Sequence, residues 1–193
     1  MTRPVAVAIT GGIGAGKSEA LRAFARNGAA TVSSDEIVHH LLRRPDVREA
    51  VVARMGNGIV GPDGEIDRRA LGTVVFNDRE ALAWLEEALH PLVSAEYLQW
   101  REQLAHLPNP PRVSVTEVPL LYETGGDARF DKVVVITAPS KLRRARSDVT
   151  ADDRESRLIP DSEKVKRADF SYKNIGTLEE LDAFVKSVLA ELS

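Results

Sequence analysis

The chain has 193 residues, enough for one domain with a sizeable insertion and a well-buried core. A net charge of −3 argues against a dedicated nucleic-acid binder, and the absence of cysteine excludes disulfides and thiolate metal sites. The apolar run Val5 to Ile9 is too short for a signal core or a membrane span. The expectation is a soluble cytoplasmic protein, a monomer or weak homo-oligomer, with small-molecule substrates and neither nucleic-acid nor membrane partners.

Val5 to Ile9 reads as a short buried strand. It leads into Gly11-Gly12-Ile13-Gly14-Ala15-Gly16-Lys17-Ser18, which fits the phosphate-binding loop G-x-x-x-x-G-K-[ST]. Such a loop turns backbone N–H groups towards nucleotide phosphates, and its glycines permit the positive φ angles this requires. Lys17 is then expected at the β- and γ-phosphates and the Ser18 hydroxyl at Mg²⁺. Lys17 to Arg26 carries Ala20, Leu21 and Phe24 at helical spacing, so the motif lies between a strand and a helix N-terminus. The dinucleotide fingerprint G-x-G-x-x-G fails, because its third glycine would fall on Lys17.

A second strand, Ala30 to Ser33, ends at Ser34-Asp35, and carboxyl ends of strands in a parallel α/β sheet are where active residues gather. Asp35 either faces the transferred phosphate or caps the helix through Ile37, Val38, Leu41 and Leu42. Helices are expected over Asp46 to Met55 and from Arg68, with Asp67 as N-cap. Arg68 and Arg69 oppose the helix dipole there, so they either meet an anion or pair with Glu65 or Asp67. Asp78 to Leu89 and Leu92 to Leu107 read as two helices broken at His90-Pro91. His90 is a ligand, a base or, more commonly at a helix end, a packing or capping residue.

Val113 to Val118 is the third strand. Glu117 at its end stands where a nucleotide-binding sheet offers an acid to the Mg²⁺ shell, directly or through water. A fourth strand, Val133 to Thr137, precedes a basic helix with Lys141, Arg143, Arg144 and Arg146, followed by Arg154 and Arg157, the charge a lid over triphosphate requires. Phe170 to Tyr172 is a weak fifth strand, and Thr177 with Glu180 forms a capping box for the last helix. The order of elements is that of a doubly wound, parallel, five-stranded α/β sheet.

From Val7 to the last helix the chain resembles the dephospho-CoA kinase family. The resemblance is carried by Thr10 to Ser18, Asp35, Asp63-Gly64-Glu65-Ile66-Asp67-Arg68-Arg69-Ala70-Leu71, Leu89-His90-Pro91, Val118-Pro119-Leu120-Leu121-Tyr122-Glu123, Ala168-Asp169, and Asn174 with Gly176. It implies a phosphate-loop (P-loop) nucleoside triphosphate hydrolase type of fold in one domain, 1–193. Within it a helical CoA-binding lobe is expected over 38–107 and a lid over 141–160. It implies transfer of the γ-phosphate of ATP to the ribose 3′-hydroxyl of dephospho-CoA, with ATP and Mg²⁺ required. Catalytic roles are implied for Asp35, Lys17, Thr10 and a lid arginine, Arg146, with Arg154 and Arg157 as rivals. Nucleotide contacts are implied for Gly12, Ile13, Gly14, Ala15, Gly16, Lys17, Ser18, Glu19 and Asn174. Acceptor contacts are implied for Asp35, Arg68, Arg69, His90, Pro119, Leu120, Leu121 and Glu123. The chain departs from the family pattern at Ser33, where an acid is usual, in a shorter lid, and at Lys173, beside the expected adenine pocket.

Overall fold

The computed structural model describes residues 3–146 and 158–192. The sheet has five parallel strands, β1 (Val5–Thr10), β2 (Ala30–Ser33), β3 (Val113–Glu117), β4 (Lys132–Thr137) and β5 (Phe170–Lys173), of which all but β5 carry β-branched residues. The spatial order is β2-β3-β1-β4-β5. From β1 the chain runs outward to β2, returns to β3, then crosses to β4 and β5 on the other side. The winding therefore reverses around β1, and the carboxyl ends flanking such a reversal form the crevice where α/β sheets bind ligands. The register puts Ile9 opposite Glu117 on one side and Val134 on the other, and Ser33 opposite Glu117.

Side-chain alternation explains why both faces of the sheet are apolar. Val7, Ile9, Val113, Val115, Val134 and Ile136 share one core with α1 (Lys17–Arg26) and the C-terminal helix, through Phe24, Leu181, Val185 and Val188. Ala8, Val133 and Val135 pack on the other face against Leu121 and Tyr122.

The chain divides into two compact units, one formed by the residues up to Ser34 and from Trp100 onward, the other by Asp35–Gln99. The second is helical: α2 (Ser34–Leu41, entered from the last residue of the first unit), α3 (Pro45–Met55), α4 (Arg68–Asn77) and most of α5 (Arg79–Ala105). Its own core includes Leu42, Val51, Ile59, Leu71, Val75, Leu85 and Leu89. Asp67 caps α4 as expected, accepting from the Arg69 and Ala70 amides at 2.8 and 3.2 Å.

The break expected at His90-Pro91 is absent, and α5 runs through Pro91 for 27 residues. A proline inside a helix costs about 3 kcal/mol. Here the buried row Ala81, Leu85, Leu89, Val93, Tyr97 keeps its i+4 spacing across the proline, which itself faces solvent. Burial of that row offsets the lost hydrogen bond.

The remaining helices of the described residues are α6 (Ser140–Arg146), α7 (Asp161–Arg167) and α8 (Leu178–Glu191). The capping box at the start of α8 is complete, with the Thr177 amide donating to Glu180 Oε2 at 2.9 Å and the Glu180 amide to Thr177 Oγ1 at 3.3 Å. Among the described residues no helix is long and apolar enough to cross a membrane.

Asp131 braces the start of the sheet. It takes two 2.7 Å bonds from Arg3 and one of 2.8 Å from the Ala6 amide. The Arg3 hydrogen bonds hold its carboxyl below the usual carboxylate range, against the opposing effect of burial. A carboxyl depressed in the folded state stabilises above its unfolded pKa of about 3.9 and loses that contribution as pH falls through the folded value. Asp131→Asn is therefore expected to destabilise at pH 7 and to lose that effect as pH falls below the usual carboxylate range, in urea titrations. The effect will be small, because Arg3 is largely exposed. Thr177→Ala is expected to cost about 1 kcal/mol by the same measurement, and less in a Glu180→Ala background, since the two side chains form one box.

Candidate active site

β1 ends in Thr10, fully buried, whose Oγ1 donates to the Pro119 carbonyl at 3.2 Å. The loop that follows turns through Gly14 at φ +72 and Gly16 at φ +99, both left-handed, and Gly16 is the N-cap of α1. The first amides of a helix lack intrahelical partners, so the loop mouth carries donors and positive potential suited to an anion. Lys17 folds back across the loop, its Nζ donating to the Gly12 carbonyl at 3.1 Å. The Ser18 hydroxyl donates to Glu117 Oε1 at 3.4 Å. Glu117 ends β3 and is only 4% exposed, so this carboxylate is held at the loop rather than in solvent. A hydroxyl beside a carboxylate is a pair of hard oxygens, the chemistry Mg²⁺ prefers.

Two further elements close on the loop. A methyl group added at Gly12 would strike Arg143 Nη1 and lie 3.5 Å from Asp161 Oδ1, and one at Gly14 would stand 2.6 Å from the Arg143 carbonyl. Arg143 of α6 therefore lies directly on the loop. Sequence reasoning counted it only among the charges of a basic helix. The available signal was that this helix follows β4, the neighbour of β1, on the side of the sheet where the loop lies. Arg146, at the end of α6, donates to the Asn174 carbonyl at 3.5 Å. Asn174, after β5, is buried and donates from Nδ2 to the Ala15 carbonyl at 2.9 Å. Arg154, Arg157 and most of 141–160 lie outside the described residues.

The structure thus gathers Thr10, the loop from Gly11 to Ser18, Glu117, Pro119, Arg143, Arg146 and Asn174. Other expected site residues turn elsewhere. Leu121 is fully buried in the core. Glu123 lies 2.8 Å from the wholly buried Lys164 and accepts from the Ile159 amide at 3.0 Å. The Lys164 contact is ionic rather than a well-directed hydrogen bond, since Nζ has no partner in hydrogen-bond geometry. A lysine buried to this extent was not anticipated from its place in a polar helix. Glu19 is held by Arg22 at 2.8 Å and Arg26 at 3.0 Å, and the Arg22 hydrogen bond draws its carboxyl below the usual range.

In the helical unit, Asp35 is exposed in the first turn of α2 and His90 is half-buried on α5. Arg68 and Arg69 open α4 in solvent. Glu65, a candidate partner for them, is instead bonded to Arg48 at 2.8 Å.

Gly16→Ala is expected to weaken ADP binding ten- to a hundredfold by calorimetry. A side chain at φ +99 costs about 1–3 kcal/mol, and the new methyl meets Asn174 Nδ2. Gly58→Ala, where a Cβ meets nothing within 4 Å, is the control and is expected to leave binding unchanged.

A family model described as dephospho-CoA kinase matches residues 5–180. A dephospho-CoA kinase of Symbiobacterium thermophilum is 37% identical over 189 residues, covering 94% of this chain and 78% of that one. One from Aquifex aeolicus is 34% identical and covers 97% of both chains. The structure of a dephospho-CoA kinase from Campylobacter jejuni superimposes with a TM-score of 0.71 at 28% identity, covering 97% of this chain and 96% of that one.

Proposed function

The chain belongs to the dephospho-CoA kinase family, and we propose how its own residues perform that family's reaction. The protein is an ATP-dependent kinase of dephospho-CoA and completes coenzyme A biosynthesis by phosphorylating the ribose 3′-hydroxyl. The observation that carries this reading is the loop between β1 and α1, with Lys17 folded over it and Ser18 bonded to the buried Glu117.

The loop amides and the α1 N-terminus bind the donor phosphates, and Lys17 exchanges the Gly12 carbonyl for phosphate oxygen when nucleotide enters. Ser18 and Glu117 are the residues that would hold Mg²⁺, which would supply charge neutralisation to the donor phosphates. The contribution of Glu19 falls to its backbone, because its side chain is committed to Arg22 and Arg26. Arg143 and Arg146 bring cationic charge to the same end of the sheet, where negative charge accumulates on the transferred group. Thr10 and Pro119 fix the wall beside it.

Asp35 orients the acceptor hydroxyl and takes its proton. It stands two residues beyond the carboxyl end of β2, whose last residue pairs in register with Glu117. Arg68, Arg69 and His90 belong to the acceptor-holding helical unit. There the two arginines' freedom from carboxylate partners among the described residues favours an anionic contact over mutual neutralisation. No covalent intermediate is required, because orientation and charge stabilisation supply the rate in phosphoryl transfer of this kind. The protein acts in the cytoplasm on small molecules.

ADP release from Mg²⁺ATP is expected to rise sharply on adding dephospho-CoA. Asp35→Asn is expected to lose at least a hundredfold in kcat, the usual scale of a positioned proton acceptor, while ADP binding stays intact. No stimulation by dephospho-CoA in a protein that still binds ATP would overturn the assignment.

A further inference from the structure

Asn174 lies far from the phosphate loop in sequence yet is bonded directly to its backbone. Its Nδ2 donates to the Ala15 carbonyl at 2.9 Å in a bond buried from solvent. Its own amide is fixed by the Thr137 carbonyl at the end of β4, 2.7 Å away, and its carbonyl accepts from Arg146 at 3.5 Å. The residue is 8% exposed, and its side chain fills the space a Cβ on Gly16 would need. These contacts hold the side chain rigidly against one peptide unit of the loop, the one joining Ala15 to Gly16.

That peptide is trans, as are all the described peptides. In a trans unit the C=O and the following N–H point in opposite directions. Holding the Ala15 carbonyl outward on Asn174 therefore points the Gly16 N–H away from Asn174. Among the described residues no group accepts from that N–H. With Gly14 and Gly16 both left-handed, the unit belongs to the curled backbone that offers successive amides to an anion.

We infer that Asn174 is a positioning residue: by fixing the Ala15–Gly16 peptide it aims the Gly16 amide at a nucleotide phosphate, so it acts through the loop rather than on the base. Freed of this bond, the peptide can rotate and present a carbonyl where phosphate must sit, exchanging a donor for a repelling acceptor. The inference rests on the nucleotide site proposed above and assigns Asn174 its part in it.

The test compares ADP with AMP on Asn174→Ala and on Asn174→Asp, which removes the donor and sets a carboxylate against the Ala15 carbonyl. ADP affinity, by calorimetry, is expected to fall about tenfold in the first and further in the second, with AMP affinity changed less than twofold. Equal losses for ADP and AMP would assign Asn174 to the base or to general stability and overturn the inference, as would undiminished ADP binding. Should neither variant fold, the Gly16 amide resonance of the unaltered protein decides. It is expected to move downfield with ADP and hardly with AMP, and an unmoved resonance overturns the inference. Failure of the unaltered protein to bind ADP at all would instead sink the nucleotide site, a result distinct from any of these.

Discussion

The catalytic end of the molecule depends on one backbone conformation, the turn by which β1 passes into α1 through left-handed Gly14 and Gly16. A strand and a helix joined this closely leave several amides without partners at the carboxyl edge of the sheet, and unpaired backbone donors are costly unless an anion or water takes them. The turn is crowded from outside: Ile136, Arg143 and Asn174 each occupy space that a side chain on a loop glycine would fill. The glycines thus serve two needs at once, positive φ and close approach by the ends of β4, α6 and β5. Because these neighbours come from widely separated stretches, the loop keeps its shape only when the whole sheet is assembled.

Much of this was legible in the chain itself. The strand, loop and helix around Lys17 follow from apolar spacing and the glycine pattern, and the carboxyl-terminal position of Glu117 follows from the β-branched run before it. The caps at Asp67 and Thr177 were readable because capping is local, needing only a side chain two or three residues from the amide it serves. Even the weak Phe170 strand was recoverable, though it gains its place only by pairing with β4.

What could not be read depends on distance in sequence. Pro91 looked like a boundary because local rules penalise it, but the decision lay with Leu89, Val93 and Tyr97, whose burial is tertiary. Nothing local to Glu123 points to its partner Lys164, which lies 41 positions on, in a helix polar at every position but Val165. Arg143 was hidden among near-identical neighbours. Periodicity cannot say which arginine of a basic helix faces a loop over 120 residues upstream.

The buried charges show how the fold places polarity without losing stability. Glu117 and Lys164 are almost completely enclosed, a condition that costs several kcal/mol for an uncompensated ion. Lys164 is compensated by Glu123, and that contact ties α7 to the segment leaving β3. Glu117 accepts from the Ser18 hydroxyl at the loop, and its register partner on β2 is Ser33 rather than an acid. A second carboxylate at that paired position would repel the first across adjacent strands, where opposed residues lie close on one face. Serine leaves Glu117 as the carboxylate of that strand pair, so the negative charge available to a cation beside Ser18 is concentrated on one residue.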